Sequence, residues 1–300
     1  MIMGPWYHGQ WNRGNGDKLG EADFGFDTSK WFQKSVLLPF FNHHLKDKKD
    51  PQLAKAIMFE TGSNRFRHFD TWPPKKAKQE TLYLGDKQVL TAVKATKAIG
   101  ETQWVSDPNK PVPHSANISR GWDKPYMVED QRFAARRSDV LVFETPAMTE
   151  DKTIAGAIDL DLWFSTSQSS ADVVVKLVDV FPSINENTDK VDTKKANRHE
   201  LVRWGVIRGR FRDSMSDPKP FTPNEPTQVK FELYDVLHTI KRGHKLQIQI
   251  QSSMFPFIDR NPQHYVSNIF DAKEIDFVKA THKIYHSVKY PSSIKFGVIK

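Results

Sequence analysis

One residue on this chain is placed for general-base chemistry. His8 lies in Gly4-Pro5-Trp6-Tyr7-His8-Gly9, just past the short apolar run Met1-Ile2-Met3 and ahead of an amphipathic segment. A histidine on a loop between a strand end and a helix can face a serine carried by another strand while a carboxylate orients its ring. A loop histidine can equally be a surface or packing residue, and the spacing alone leaves both open. Trp6, Tyr7 and Trp11 flank it and either line an acyl or leaving-group pocket or pack the loop against its neighbours. Asp259, Arg260 and Asn261 fall on a loop after an alternating strand, where they either face a cleft or form an ion-pair clamp between domains. Asp179 ends a run of strand character and reads as structural.

Metal and phosphate chemistry find little support. His43 and His44 are adjacent, so on a helix they point about 100° apart and cannot grip one ion. His68 and Asp70 have strand spacing but lack a third ligand. Arg13-Gly14-Asn15-Gly16-Asp17 lacks the lysine and flanking strand of a phosphate loop. No cofactor and no metal site is expected.

The elements that position these residues follow from periodicity. Gly9 to Phe26 is a Gly-, Asn- and Asp-rich loop. From Thr28 to Lys46 the apolar residues fall into helical register: Phe32, Val36 and Phe40 on one line, Leu37, Phe41 and Leu45 on the next. Asp27, Thr28 and Ser29 are N-cap candidates, and Pro39 should kink or split the helix. Ala56 to Thr61 reads as a short apolar strand, and Trp72-Pro73-Pro74 as a boundary.

Beyond about residue 75 strand patterns recur between turn residues. Leu246, Ile248 and Ile250 alternate with glutamines, and Ile158, Leu160, Leu162 and Phe164 alternate with Asp159 and Asp161 turned outward. Val173 to Val178 is apolar on both faces, as in a central strand. Further strands are expected at Thr81–Leu84, Asp139–Glu144, Leu201–Arg208, Gln228–Leu233, Lys283–Tyr290 and Lys295–Ile299. The fold class is mainly β: a jelly-roll β-sandwich over 75–300, preceded by a helix-and-strand segment over 1–74.

Composition bounds the rest. The 300 residues carry 12% aromatics, too many for a disordered chain despite only 38% hydrophobic residues. The net charge of +8 is spread through the chain with interleaved acids and no readout motif, which argues against nucleic acid. Without cysteine there is no disulfide, thiolate metal site or cysteine nucleophile. No apolar run reaches the roughly 18 residues of a membrane span, and no leader is recognisable at Met1. Met1-Ile2-Met3 reads as the end of a buried strand, as though a front half preceded it. Any export signal would then lie upstream, so localisation stays open, as does homo-oligomerisation.

Longer motifs add a resemblance. Gly4 to Gly9, Leu38-Pro39-Phe40-Phe41-Asn42-His43-His44-Leu45-Lys46, Thr61-Gly62-Ser63-Asn64-Arg65-Phe66 and Arg203-Trp204-Gly205-Val206-Ile207-Arg208-Gly209-Arg210-Phe211-Arg212 are similar to segments of the cocaine esterase and X-Pro dipeptidyl peptidase superfamily. So is Gln251-Ser252-Ser253-Met254-Phe255-Pro256-Phe257-Ile258-Asp259-Arg260-Asn261-Pro262-Gln263. The likeness is nearest to its glutaryl-7-aminocephalosporanic acid acylases and α-amino acid ester hydrolases. The resemblance implies an α/β-hydrolase domain whose tail is residues 1–74, followed by a non-catalytic jelly roll. It puts the triad histidine at His8 and the nucleophile, triad aspartate and oxyanion tyrosine upstream. No Gly-x-Ser-x-Gly occurs in this sequence. It implies that this chain alone is inactive and that the whole protein cleaves a small-molecule or peptide ester or amide through an acyl-enzyme. The alternatives are a β-sandwich module that binds carbohydrate or protein without catalysis, and a pseudoenzyme that keeps the loop for structure.

Overall fold

The computed structural model describes residues 1–118, 123–183 and 195–300. It begins with strand β1 (Ile2–Met3), followed by a hairpin of β2 (Lys18–Leu19) and β3 (Ala22–Asp23). Helix α1 (Thr28–Phe32), a π-helical turn (Gln33–Leu37) and α2 (Leu38–Lys46) then lead to β4 (Ala56–Glu60) and β5 (Arg65–Phe69). β1 pairs in parallel with β4, with Ile2 opposite Ile57 and Met3 opposite Met58, and β5 lies antiparallel on the other side. A parallel pair needs a crossover, and the helix supplies it. Every residue of β4 is buried, as a strand covered on both faces requires.

Pro39 neither breaks nor splits the helix. It sits in the first turn of α2, and the turn before it is wound as a π-helix in which the Leu38 N–H donates to Gln33 O. Proline lacks an N–H and its ring collides with the carbonyl four residues back. A wider π turn is one of the local adjustments that absorbs such a defect. Asp27 occupies the N-cap position without capping; its carboxylate pairs with Lys30 at 2.9 Å. Val36 is buried, whereas Leu38, Phe40, Phe41 and Leu45 stay 43–72% exposed.

The remainder is a β-sandwich. Its strands are β6 (Lys78–Gly85), β7 (Val89–Thr91), β8 (Glu101–Ser106), β9 (Leu141–Glu144), β10 (Lys152–Thr166) and β11 (Asp172–Val180). They continue with β12 (His199–Arg208), β13 (Thr227–Ile240), β14 (Lys245–Gln251), β15 (Ala280–Tyr285) and β16 (Ser293–Ile299). One hydrogen-bonded path runs β12-β11-β14-β9-β7-β6-β16-β10-β15-β8, and β13 pairs with β10. The path folds over where β7 meets β9 through the single parallel pair Val89–Glu144. On either side of that crossing the strands face each other. Leu177, Ile248 and Phe143 from one layer meet Leu160, Leu233 and Phe296 from the other in one apolar core.

Ile158, Leu160, Leu162 and Phe164 are buried and Asp159 and Asp161 point away, as the alternation requires. β14 differs from a half-exposed strand. Leu246, Ile248 and Ile250 enter the core, but Gln247, Gln249 and Gln251 are buried as well. A covering segment with short helix α3 (Arg132–Ala135) lies over that second face. Gln249 Nε2 bonds Gln247 Oε1 at 2.7 Å, and Gln131 Oε1 accepts from the fully buried Lys176 Nζ at 2.7 Å. Burial pushes the Lys176 pKa down to about 7, against a smaller upward pull from Glu129. The strand expected over Lys283–Tyr290 is shifted: β15 ends at Tyr285 and a turn follows. β13 extends well past Leu233, because its second half carries the junction with β4.

That junction has an apolar half and a polar half. Ala56 and Met58 of β4 pack with Ala155 and Leu237 of the sandwich. Thr61 N–H donates to Leu237 O and Thr239 N–H to Thr61 O, at 3.0 and 2.9 Å. Gly62 has φ +81°, and a Cβ there would lie 2.2 Å from Thr239 O, so only glycine fits the approach. Pro73 seats against Gly156 at the bulge in β10.

The exposed helix face and the buried core should respond differently to substitution. Changing Leu38, Phe41 and Leu45 together to glutamate is expected to alter unfolding free energy by less than about 1 kcal/mol and to suppress self-association in sedimentation velocity. Phe164→Ala should instead cost about 3–5 kcal/mol in denaturant unfolding.

Candidate active-site loop and its junction with the sandwich

His8 follows β1 at the carboxyl end of the parallel β1–β4 pair, the edge at which open α/β sheets hold their ligands. The loop carrying it is shaped locally. Gln10 N–H donates to Tyr7 O, the Gln10 side chain accepts from Tyr7 N–H at 3.2 Å, and Gln10 Nε2 donates to Lys18 O at 3.0 Å. The loop is then fastened to the start of α1. Trp6 Nε1 donates to Thr28 Oγ1 at 2.8 Å, and that hydroxyl donates to Gly16 O at 2.5 Å. Ser29 Oγ donates to Gln10 O and Ser29 N–H to Asn15 O, each at 2.9 Å. Thr28 and Ser29, whose sequence suggests caps, are thus buried anchors for the loop. Gly16 is obligatory at their side: φ is +67°, and a Cβ would stand 2.1 Å from Ser29 Oγ.

The four residues singled out from sequence separate into two layers. His8 is exposed and meets Trp11 edge-on at a ring distance of 5.8 Å, with Trp11 37% exposed. Trp6 and Tyr7 lie in the body of the loop. Trp6 packs on Phe32 and Phe66 at 5.1 and 6.2 Å, and Tyr7 joins the cluster of Leu19, Phe24 and Phe59. Among the described residues the His8 ring has no hydrogen-bond partner, neither a serine nor a carboxylate. Asp259, Arg260 and Asn261 are elsewhere. Asn261 Nδ2 donates to Asp172 Oδ1 at 2.6 Å, Arg208 joins Asp172 to Asp259 O, and Arg260 donates to Pro108 O. These contacts fasten loops within the sandwich rather than a cleft or a clamp between domains. Among the described residues no three His, Asp or Glu side chains gather as a metal-holding group, and no helix is long and apolar enough to cross a membrane.

Sequence reasoning missed the sandwich's own contribution to this loop. The 3₁₀ turn Lys124–Val128 reaches it: the Lys124 ammonium lies 4.1 Å from the Tyr7 ring centre, and Met127 and Val128 pack with Leu19 and Phe24. No periodicity marks such a turn. It also missed a buried polar chain beneath the loop segment. Thr61 Oγ1 and His238 Nδ1 are 2.7 Å apart, His238 Nε2 is 3.2 Å from Asp179 Oδ2, and His244 Nδ1 is 2.8 Å from Asp179 Oδ1. Asp179 is structural, as its position at a strand end suggests, but its partners are two imidazoles.

The sequence matches the family described as X-Pro dipeptidyl-peptidase C-terminal non-catalytic domain over residues 47–295. The chain belongs to that family. It is 24% identical over 315 residues to the cocaine esterase of Rhodococcus sp. (strain MB1 Bresler), an alignment covering 100% of this chain and 51% of that protein. An aminopeptidase from the marine sediment archaeon Thaumarchaeota archaeon superposes with a TM-score of 0.94 at 34% identity, over 100% of this chain and 49% of that one. An α-amino acid ester hydrolase gives a TM-score of 0.92 at 39% identity, over 99% and 50%. The chain spans about half the length of the curated relatives it matches. The C-terminal domain of this family, a β-sandwich, therefore accounts for most of the chain, and His8 lies ahead of the matched residues.

The Asp179 chain predicts a pH dependence. Burial alone would raise the Asp179 pKa, but hydrogen bonds from His238 and His244 outweigh it and hold the carboxyl below its usual 3.8. A depressed folded-state pKa contributes stability above the unfolded value and loses it as pH falls through the folded one. Asp179→Asn should lower stability at pH 7 and flatten the fall in Tm below about pH 4 relative to the unchanged chain.

Proposed function

We propose that this chain is the C-terminal part of a serine hydrolase acting through an acyl-enzyme, with His8 as its general base. The observation that carries the reading is the anchored loop: His8 stands exposed at the carboxyl edge of a parallel strand pair, held by Trp6, Thr28 and Gly16. In the reaction His8 takes the proton of a serine hydroxyl as that oxygen attacks an ester or amide carbonyl. It then returns the proton to the departing alcohol or amine. The serine, the orienting carboxylate and the oxyanion donors come from another part of the whole protein. Trp11, edge-on to His8, borders the acyl or leaving group, and Trp6 and Tyr7 support the loop from beneath. The jelly-roll sandwich walls the site through Lys124–Val128 and takes no part in bond making. Esterase, acylase and aminopeptidase action all fit this arrangement, since each proceeds through the same acyl-enzyme.

A second reading has one observation in its favour. A groove of about 990 Å3 beside β12 and β13 is lined by Trp204, Phe211, Phe231 and Tyr234, the kind of aromatic surface a carbohydrate-binding module presents. Saturable oligosaccharide binding by this chain would support it.

The test of the catalytic reading is kinetic. The isolated chain should not react with a fluorophosphonate probe. In the protein expressed from the whole reading frame, His8→Ala should lower kcat/KM by about 10³-fold or more. Full activity of His8→Ala would refute the assignment.

A further inference from the structure

A second site lies at the junction of the loop segment and the sandwich. The cavity there has a volume of about 330 Å3, within the range that holds small ligands. Trp6, Phe24, Phe59 and Leu201 contribute apolar wall, and His8 is not among the residues lining it. Among the described residues its charged lining is unbalanced toward acid: Glu21, Asp23, Glu200 and Asp235 against Lys195 and Arg203.

The cations around it are already engaged. Arg203 donates to the carbonyls of Tyr234 and Asp235 at 3.1 and 2.8 Å, and Lys195 has interactions of its own. Arg198, behind the wall, pairs with Glu21 and reaches only one oxygen of Glu200, Oε2, at 3.1 Å. Among the described residues Glu200 Oε1 accepts no hydrogen bond, and the Asp235 carboxylate has neither a hydrogen bond nor a close ion pair, its charge being felt only at longer range by Arg203. Asp179 is not free to help, because His238 and His244 occupy its two oxygens.

We propose that this cavity binds a small hydrophobic amine in its protonated form, its apolar body against Trp6, Phe24 and Phe59 and its charge compensated by Glu200 and Asp235. The inference rests on the cavity alone and stands whether or not His8 is catalytic. Burial, aided by the Asp179 charge, raises the Glu200 pKa despite Arg198 and His238. A bound ammonium favours the ionised carboxylate, so the amine binds more tightly as pH rises toward neutrality.

Phenethylamine is a suitable probe, titrated into this chain by calorimetry and by thermal shift, with phenethyl alcohol and 3-phenylpropionate as matched neutral and anionic compounds. The expected result is saturable amine binding, about tenfold or more weaker for the alcohol and lost for the acid. Asp235→Asn, which removes the attraction between that carboxylate and Arg203, should weaken amine binding severalfold, with Tm without ligand measured alongside to separate loss of the site from loss of the fold. Glu200→Gln should weaken it further. Equal binding of the alcohol, full amine binding by both variants, or no saturable binding by the unchanged chain would overturn the proposal.

Discussion

The fold depends on one seam, where the end of β4 meets the second half of β13. Apolar contact alone would let two layers slide; this seam is fixed by directional bonds. Two main-chain hydrogen bonds clasp Thr61 between Leu237 and Thr239, and the Thr61 hydroxyl meets His238, which is backed by Asp179. Glu60, also buried, accepts from Thr239 Oγ1 at 2.9 Å and pairs with Arg67 at 2.8 Å. Buried polar groups of this kind cost stability when left unpaired, so their mutual satisfaction selects one relative placement of the two parts. Once β4 is placed, β1 is placed by parallel pairing and the His8 loop follows from β1.

That chain of dependence ties the placement of the His8 loop to the sandwich. The loop is held from three directions: by β1, by the start of α1, and by the Lys124–Val128 turn of the sandwich. A general base must hold its imidazole within a fraction of an ångström of the productive position. Support on the inner side leaves His8 and Trp11 open on the outer side, the arrangement that the general base proposed above would use. On the same segment Leu38, Phe40, Phe41 and Leu45 present an exposed apolar face.

Much of this was legible in the sequence, and the failures have physical causes. The alternation of Ile158 to Phe164 and the two-faced apolar run of Val173 to Val178 were readable because strand burial is periodic. The π turn before Pro39 was not, since proline predicts a defect but not how the backbone accommodates it. The alternation placed Leu246, Ile248 and Ile250 on one face but could not show that Gln247, Gln249 and Gln251 are buried too, because glutamine is rarely buried; a covering segment with its own Gln131 satisfies part of that row. The Thr61–His238–Asp179 chain is built of links 177 and 59 positions long, and no local pattern encodes such contacts. The motif marked His8 as a candidate; the anchoring of its loop by Thr28 and Gly16 emerged only from the fold.

The central claim is that His8 serves a nucleophile carried by a preceding part of the protein. Reading the source DNA in frame upstream of the Met1 codon tests it most directly. The account predicts an open frame encoding Gly-x-Ser-x-Gly and, closer to His8, an aspartate to orient it. A stop codon with a ribosome-binding site immediately ahead of Met1 would contradict it, leaving His8 without a serine and the sandwich as a binding module.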